Sequence, residues 1–573
     1  MNTLSQNLAL LKQANVPIFG ELMRGIEKEN LRVTADGRLS EKPHPAALGK
    51  ALTHPLITTD FSENLTEIIT PPFRIRSCLF DSLSHISTYA WHHLEMSLEL
   101  DLNLNLNKPG QSEFFWPLSM PPKIYSQSGQ PGIYNFPEEI PLANYGKSHI
   151  GQLKTLYRKG LSYRYGKKMQ VIAGLHYNFS FSESFFNLFF NLYKAHNDNH
   201  GSQNLREIAD KIYFILIRNY FKNYWILAYL FGASPAFDHS LFENEAARER
   251  QITGPQGKYL NKFIDETWIG PYATSLRMSD LGYQNSAALN CQNGLCVSFE
   301  SPKAYAESLK KAVSTPYQAY QELEILNKKN SNHERIQLND HFLQIENEYY
   351  SPIRPKQILE SGERPAEALC RRGVRYIEVR VLDLNPFTPL GITPTQTAFL
   401  DVFLTYCALS KDEPWNLENW KINKQNFKTV TWEGRSPGCM LNINGEKIGL
   451  KKAAEVLFSE LLEVAEIMDL LNEGQKENFR QAVLEEFKKV QNVDLTPSAK
   501  VLNFMQTQQM SHQALGVLQM QAHREYFEEI ILNPCWVRQM DQMVRQSYID
   551  EQKEVLNSKG DFESFLKKYL MRE

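Results

Sequence analysis

Two glutamates, Glu27 and Glu29, stand two residues apart in the run "RGIEKENLRV". On a β-strand successive side chains point to opposite faces, so these carboxylates share one face, roughly 7 Å apart along the strand. Lys28, between them, points to the other face and cannot neutralise them. Two carboxylates side by side repel each other, so the arrangement requires a positive partner.

Two further runs alternate with the period of a strand. In "MQVIAGLHYNFSF" the alternation places His176 and Asn178 on one face, and in "YIEVRVLDLNPF" it places Glu378 beside Arg380. Either run alone fits a half-buried strand with its polar face in water. Together their polar faces hold carboxylate, histidine, asparagine and arginine side chains, without the Lys, Thr and Gln mixture of a solvated face. This composition favours a functional site over plain solvation.

Carboxylates also precede and enter a shorter run, "TTDFSENLTEIITPP", at Asp60 and Glu67. Acidic oxygens gathered from several strands are the ligands that Mg²⁺ requires, completed by water and substrate phosphates. Paired ions lie roughly 3.5–4 Å apart in two-metal sites, and carboxylates at strand spacing can flank such a pair. We therefore expect divalent metal, together with a nucleotide, to be the positive partner of these side chains.

The usual nucleotide-binding signatures are missing from the sequence. There is no G-x-x-x-x-G-K-[ST], and no two glycines stand two apart, which excludes every G-x-G motif. A G-x-S-x-G nucleophile elbow is missing as well. If ATP binds, metal ions and arginines must hold its phosphates.

Composition excludes several classes of protein. The 573 residues carry 62 basic and 65 acidic side chains and a formal net charge of -3, which is not the strongly basic footprint of a nucleic-acid binder. The seven cysteines are odd in number, widely spaced and without a C-x-x-C pair, so we expect reduced thiols in a cytoplasmic protein.

No segment of the sequence indicates a membrane span or a signal peptide. The N-terminus lacks a basic region before its short apolar run. The most apolar segment, residues 212–237, is interrupted by Arg218, Lys222 and two asparagines, whereas a span needs about 20 mostly apolar residues. We expect a buried, aromatic-rich helix there and a soluble protein.

The distribution of patterns predicts an α+β fold with an antiparallel sheet. From about Lys451 the apolar residues recur with a helical period ended by Gly474, and further helical runs follow. We therefore predict a catalytic domain over residues 1–450 and a helical C-terminal region over 451–573 packed on it. The Pro-, Gly- and Ser-rich residues 108–141 are predicted to be a functional loop or lid.

Seven ordered blocks of the sequence resemble the glutamate–cysteine ligases (γ-glutamylcysteine synthetases) of the proteobacterial type. The blocks are "RGIEKENLRV", "TTDFSENLTEIITPP", "LYRKGLSYRYGKKMQVIAGLHYNFSF", "LFGASPAF", "TSLRMSDLGYQN", "LQIENEYYSPIRPK" and "YIEVRVLDLNPF". The resemblance implies a glutamine-synthetase-like antiparallel sheet that forms a funnel with a metal cluster at its floor. It also implies ATP-dependent joining of the glutamate γ-carboxylate to the cysteine amine through γ-glutamyl phosphate, the first step of glutathione biosynthesis.

The resemblance assigns roles to individual residues by motif match. The family's positions for two or three Mg²⁺ ions, or Mn²⁺, fall on Glu27, Glu29, Asp60, Glu67, His176 and Glu378. Its amino-acid pockets fall on Phe61, Tyr157, Gln170, Arg277 and Tyr283. Arg380 falls on the residue that faces the transferred phosphoryl group of ATP, and Asn178 lies near the nucleotide or substrate.

Three other functions remain open from the residues alone: a carboxylate–amine ligase with another amine, a metal-dependent phosphohydrolase, and an inactive binding scaffold. The chemistry of a ligase fits the residues, because activating a carboxylate with ATP builds negative charge on oxygens and needs no side-chain nucleophile. We expect a cytoplasmic monomer that binds glutamate, cysteine and ATP, and neither nucleic acid nor a membrane.

Overall fold

The strand that holds Glu27 and Glu29 is the longest among the residues that the structure describes, and the main sheet is built around it. The computed structural model describes residues 3–96, 113–124, 140–196, 204–241, 260–282, 296–329, 334–360, 363–472 and 478–570. The strands in these ranges are β1 (Met23–Thr34), β2 (Ile57–Thr59), β3 (Leu65–Ile69), β4 (Glu113–Phe115), β5 (Leu175–Ser180), β6 (Ala236–Asp238), β7 (Asn261–Lys262), β8 (Thr267–Ile269), β9 (Ile353–Lys356), β10 (Tyr376–Leu382), β11 (Met440–Ile443) and β12 (Glu446–Gly449).

Helices surround the strands and make up the C-terminal part of the chain. They are α1 (Leu4–Ala14), α2 (Arg76–Met96), α3 (His149–Tyr165), α4 (Glu183–His196), α5 (Leu205–Asn223), α6 (Trp225–Phe231), α7 (Pro302–Ser314), α8 (Gln318–Lys329), α9 (Pro365–Arg372), α10 (Pro394–Leu409), α11 (Leu417–Glu433), α12 (Leu450–Leu470), α13 (Phe479–Gln491), α14 (Pro497–Gln508), α15 (His512–Glu529), α16 (Pro534–Asn557) and α17 (Phe562–Leu570).

The main sheet has seven strands in the order β2-β3-β1-β5-β10-β9, with β4 pairing the far end of β1. Every pair in it is antiparallel, so the predicted α+β class with an antiparallel sheet is confirmed. The three strands β6, β8 and β7 form a small second sheet, and β11 and β12 form a hairpin. Because β4 lies within residues 108–141, the prediction of a continuous loop there is wrong for Glu113–Phe115.

The two faces of β1 differ as the alternation predicted. Ile26 and Lys28 lie on the face away from the carboxylates, and both are buried. The Lys28 ammonium donates a hydrogen bond to the carbonyl oxygen of Pro389 at 3.0 Å. Burial lowers the pKa of Lys28 to about 7.

A buried carboxylate behind the sheet joins two of its strands to two helices. Asp401 on α10 accepts hydrogen bonds from Arg24 Nε of β1 at 2.6 Å and from the Tyr177 hydroxyl of β5 at 2.6 Å. Arg76 Nη2, at the start of α2, donates to it at 2.9 Å. Asp401 and Tyr177 are fully buried, so this network fixes β1 and β5 from the face opposite the carboxylates of Glu27 and Glu29.

The aromatic-rich segment over residues 212–237 lies largely in α5 and α6, whose side chains are almost all buried, as predicted. Among the residues that the structure describes, no helix is both long and apolar enough to cross a membrane. The C-terminal region is helical from Leu450, while Gly474 lies outside the described residues. The largest apolar cluster extends from Leu8 of α1 to Met540 of α16.

One expectation about the cysteines is wrong. Cys296 is disulfide-bonded. The expectation failed because it rested on the odd number of cysteines and the missing C-x-x-C spacing, and a single disulfide bond requires neither an even number nor that spacing. Cys291 lies outside the described residues. Among the described cysteines, the free ones are Cys78, Cys370, Cys407, Cys439 and Cys535.

Candidate active site

The strand registers bring the predicted carboxylates together on one face of the main sheet. Glu29 of β1 lies opposite Glu67 of β3, and Glu27 lies opposite His176 of β5. Glu378 of β10 lies opposite Asn178 of β5. Facing residues in an antiparallel pair have Cβ atoms about 4.5–5.5 Å apart. Residues from four separate segments therefore converge at one place.

His176 lies at the centre of this cluster. Its Nδ1 is 3.1 Å from Glu27 Oε2 and 3.5 Å from Glu378 Oε1, while its Nε2 is 3.6 Å from Glu29 Oε1. The Asn178 amide donates to Glu27 Oε1 at 2.8 Å. One imidazole and one amide thus hold three carboxylates within a small volume.

Glu29 is fixed by the backbone of the segment before β5. The Gly174 amide donates to Glu29 Oε2 at 2.5 Å. A Cβ atom at position 174 would come within 1.8 Å of the Arg277 guanidinium, so only glycine permits this close approach. Burial raises the pKa of Glu29.

The crowding of the carboxylates shifts their pKa values. Burial, together with the charges of Glu27 and Asp60, raises the pKa of Glu67 well above its ordinary value. For Glu27, burial and the Glu378 charge act in the raising direction, but the hydrogen bond and charge of His176 leave its pKa below the ordinary value. The cluster as a whole carries more negative charge than one imidazole can balance.

Cations on the neighbouring strands stabilise Glu378. The Lys356 ammonium of β9 is 3.3 Å from Glu378 Oε2. Although burial opposes ionisation, Lys356, Arg380 and His176 together hold the pKa of Glu378 below its usual range. This carboxylate is therefore ionised and faces the same space as Glu27 and His176.

The cluster fits a hard divalent cation. One ligand atom from each of Glu27, Glu67 and His176 lies within 4.8 Å of the other two. Carboxylate oxygens with a single imidazole suit Mg²⁺ or Mn²⁺ rather than a soft metal. Burial and the charges of the neighbouring carboxylates raise the pKa of Glu67, and a bound cation would offset both effects.

A cavity of about 860 Å³ opens above the cluster, within the size range of ligand sites. The predicted site residues that line it are Glu27, Glu29, Asp60, Phe61, Glu67, Tyr157, Gln170, His176, Glu378 and Arg380. Two buried nitrogens of Arg380, Nε and Nη1, have no hydrogen-bond partner among the described residues. Its guanidinium carbon is 5.3 Å from the centre of the Tyr350 ring.

Two predicted residues that the structure describes, Arg277 and Asn178, are not on the cavity wall. Arg277 is buried beneath it, with Nη1 3.6 Å from Asp383 Oδ1 and Nη2 donating to the Arg380 carbonyl at 3.3 Å. Asn178 contacts the site through Glu27 rather than lining the cavity. Tyr283 lies outside the described residues.

Sequence reasoning missed a set of cations on the wall. Arg354 and Lys356 lie on one face of β9, and Lys154 and Arg158 lie one turn apart on α3. Their strand and helix spacings were present in "SPIRPK" and "LKTLYRKG". Nothing in those runs showed that the four cations face the carboxylates. The position of β9, for example, is set by its pairing with β10, which is distant in sequence.

Comparisons with a family model and with an individual relative point to the same family. The family model described as glutamate-cysteine ligase matches residues 8–430. A glutamate–cysteine ligase of Pseudomonas paraeruginosa is 41% identical over 567 residues, which cover 99% of this chain and 97% of the relative.

Solved structures extend the comparison to the fold. The crystal structure of glutamate–cysteine ligase from Francisella tularensis in complex with AMP is similar with a TM-score of 0.80 and 35% identity, covering 96% of this chain and 97% of that one. A bifunctional glutathione synthetase from Pasteurella multocida gives a TM-score of 0.64 at 25% identity. That match covers 92% of this chain and 54% of the other.

Proposed function

The chain belongs to the glutamate–cysteine ligase family and joins glutamate to cysteine at the expense of ATP; from this we propose that the reaction takes place in the cavity above the main sheet. The observation that carries the proposal is the convergence of the metal-type side chains and Arg380 on one wall of a space of about 860 Å³. The relative bound to AMP supports a nucleotide as one occupant.

The metal-holding residues in this proposal are Glu27, Glu29, Asp60, Glu67, His176 and Glu378, with room for two or three Mg²⁺ or Mn²⁺ ions. When bound, such ions neutralise and orient the phosphate oxygens of ATP. The protein keeps the carboxylates ready for them, because His176 and the Gly174 amide hold Glu27 and Glu29 in place.

The chemistry has two steps, and each develops charge on oxygen. The γ-carboxylate of glutamate attacks the terminal phosphorus of ATP, and ADP leaves. The amine of cysteine then attacks the acyl carbon of γ-glutamyl phosphate, and inorganic phosphate leaves. Arg380 acts on the phosphoryl group in both steps. It lines the cavity, and its Nε and Nη1 have no hydrogen-bond partner among the described residues, so its guanidinium can stabilise the developing negative charge.

The amino acids occupy the part of the cavity lined by Phe61, Tyr157 and Gln170 in this proposal. Arg277 acts from beneath the wall, where it supports the Arg380 backbone and lies under Gly174. The same proposal includes a monomeric, cytoplasmic enzyme whose helical C-terminal region, residues 451–573, packs on the catalytic domain.

An assay with glutamate, ATP and a panel of amines tests the function. A ligase releases ADP in proportion to dipeptide, and only when both amino acids are present. A phosphohydrolase would release ADP or phosphate without any amine, and a binding scaffold would release none. Preference for an amine other than cysteine would contradict the proposed acceptor while leaving the ligase chemistry intact.

A further inference from the structure

The last helix of the protein, α17, lies far beyond the stretch of residues 8–430 that the family model matches, yet it reaches the catalytic cavity. Its Tyr569 is one of the residues that line the cavity wall. The proposed chemistry assigns no role to this helix. Its position is therefore a separate observation about the site.

The apolar side chains of α17 recur at the spacing of a single helical face and pack on α3. Leu566 is 1% exposed and lies in a cluster with Leu153 and Leu156 of α3. The other apolar side chains of α17 in this cluster are Phe562, Phe565, Tyr569 and Leu570. The opposite side of the helix, with Lys567 and Lys568, is exposed.

The helix that α17 supports is also the one that faces the substrates. Lys154, Tyr157 and Arg158 of α3 line the cavity, and the first two directly follow the leucines that cluster with Leu566. Arg158 also donates to the backbone carbonyl of Asp60. A displacement of α17 would therefore move the wall next to the proposed amino-acid pocket and admit solvent there.

Two arginines hold α17 in place. Arg364 Nη2 donates to the carbonyl of Tyr569 at 2.6 Å and to that of Leu570 at 3.4 Å. These carbonyls belong to the final turn, which has no intrahelical donors. The Arg364 guanidinium also lies 5.6 Å from the Tyr569 ring centre, and Arg335 forms an ion pair with Glu563 at 2.7 Å.

We propose that α17, through Tyr569, forms the wall that keeps water away from the acyl phosphate and shapes the acceptor side of the cavity. This inference rests on the proposed function. If water enters, its oxygen attacks the acyl carbon, the carbon–oxygen bond to phosphate breaks, and glutamate and inorganic phosphate form in place of dipeptide. The result is ATP consumption uncoupled from ligation.

The test compares full-length Tyr569→Ala and Arg364→Gln variants with two matched controls. Tyr569→Phe keeps the ring, and Lys568→Ala changes the exposed side of the same helix. Inorganic phosphate and dipeptide are measured in the same reactions over a range of cysteine concentrations, with glutamate and ATP saturating.

In Tyr569→Ala we expect phosphate in excess over dipeptide, with the excess decreasing as cysteine rises. The KM for cysteine should rise by roughly tenfold, equivalent to about 1.4 kcal/mol. Arg364→Gln should show the same pattern more weakly, and both controls should stay coupled. A variant that merely destabilises the protein would lose total turnover while phosphate and dipeptide stay equal.

Equal amounts of phosphate and dipeptide in both Tyr569→Ala and Arg364→Gln would overturn the inference. Failure of the unmodified protein to form any dipeptide would instead overturn the proposed function. The two failures are distinguishable, because failure of the proposed function appears in the unmodified protein, whereas failure of the inference appears only in the variants.

Discussion

Glu29 and Glu67 are register partners on adjacent antiparallel strands, so two carboxylates face each other at the closest lateral spacing of the sheet. Neither gains from this proximity without a cation between or beside them. The pairing therefore relates strand register to the divalent-metal site that we propose on this face of the sheet.

Glu67→Gln keeps the shape of the side chain and removes one charge. We expect the Mg²⁺ concentration for half-maximal activity to rise roughly tenfold or more and kcat to fall. The melting temperature of the metal-free protein should not decrease, because crowded carboxylates repel. Mg²⁺ titrations of activity and of thermal melting measure both effects, with exposed Glu41→Gln as the control. Unchanged Mg²⁺ dependence in Glu67→Gln would remove this residue from the metal site.

Arg380→Lys replaces a planar guanidinium with a mobile point charge. If Arg380 contacts the transferred phosphoryl group, kcat should fall by roughly 10²-fold or more, with the KM for glutamate and the melting temperature nearly unchanged. If Arg380 only neutralises Glu378, the fall in kcat should be small and should parallel a decrease in melting temperature. Steady-state kinetics and a thermal melt, run beside exposed Arg375→Lys, separate these outcomes.

Asp401→Asn removes the charge that Arg24 and Arg76 share behind the sheet. Because two buried guanidinium groups lose the negative charge that they share, we expect a loss of about 3–5 kcal/mol in the free energy of unfolding. Tyr177→Phe removes a single hydrogen bond from the same carboxylate and should cost only about 1 kcal/mol. Urea denaturation compares the two variants, and equal losses would contradict a central role for the Asp401 charge.

Buried His523 should make the protein sensitive to acid. Burial lowers its pKa from 6.5 to about 4, and a ring nitrogen contacts the Pro386 carbonyl at 2.8 Å. The unfolded chain binds a proton at His523 more readily than the folded protein does. Above pH 6.5 both states are neutral at this residue and the fold keeps its full stability, and as the pH falls from 6.5 to about 4 the free energy of unfolding decreases. The loss amounts to about 3 kcal/mol.

His523→Gln retains a donor for the carbonyl but does not titrate. The free energy of unfolding of this variant, measured by urea denaturation at several pH values, should fall less steeply below pH 6.5 than that of the unmodified protein. Parallel pH profiles would show that His523 does not control acid stability.

The acceptor pocket should select by shape. 2-Aminobutyrate differs from cysteine by a methyl group in place of the thiol, and a difference of this size is worth about 1–3 kcal/mol in kcat/KM. We expect slower but measurable dipeptide formation with it. Complete refusal in a direct product assay would mean that the pocket recognises the thiol by its chemistry.

The sequence was most informative where local rules decide the structure. Alternation alone placed Glu27 and Glu29 on one face and Lys28 on the other, because the side-chain period of a strand is fixed. It also predicted the shared face of His176 and Asn178, since both lie on one regular strand. The composition of these faces suggested that they meet at one site, but the strand order that brings them together is not reported by alternation.

Long-range packing accounts for what the sequence did not reveal. Lys356 reaches Glu378 only because β9 pairs with β10. Tyr569 reaches the cavity because α17 packs on α3. Arg277 matched a motif, but its place beneath the wall depends on the glycine at position 174 and on Asp383. Such placements are set by residues distant in sequence, which periodicity does not report.

The opposite orientations of Lys28 and its two glutamate neighbours have a consequence for mutation by insertion. Adding or deleting one residue before Glu27 within β1 would exchange the faces and present an ammonium group to the cavity in place of two carboxylates. A change of two residues would restore the faces and shift only the position along the strand. The tolerance of this strand to changes in length should therefore alternate between odd and even numbers of residues.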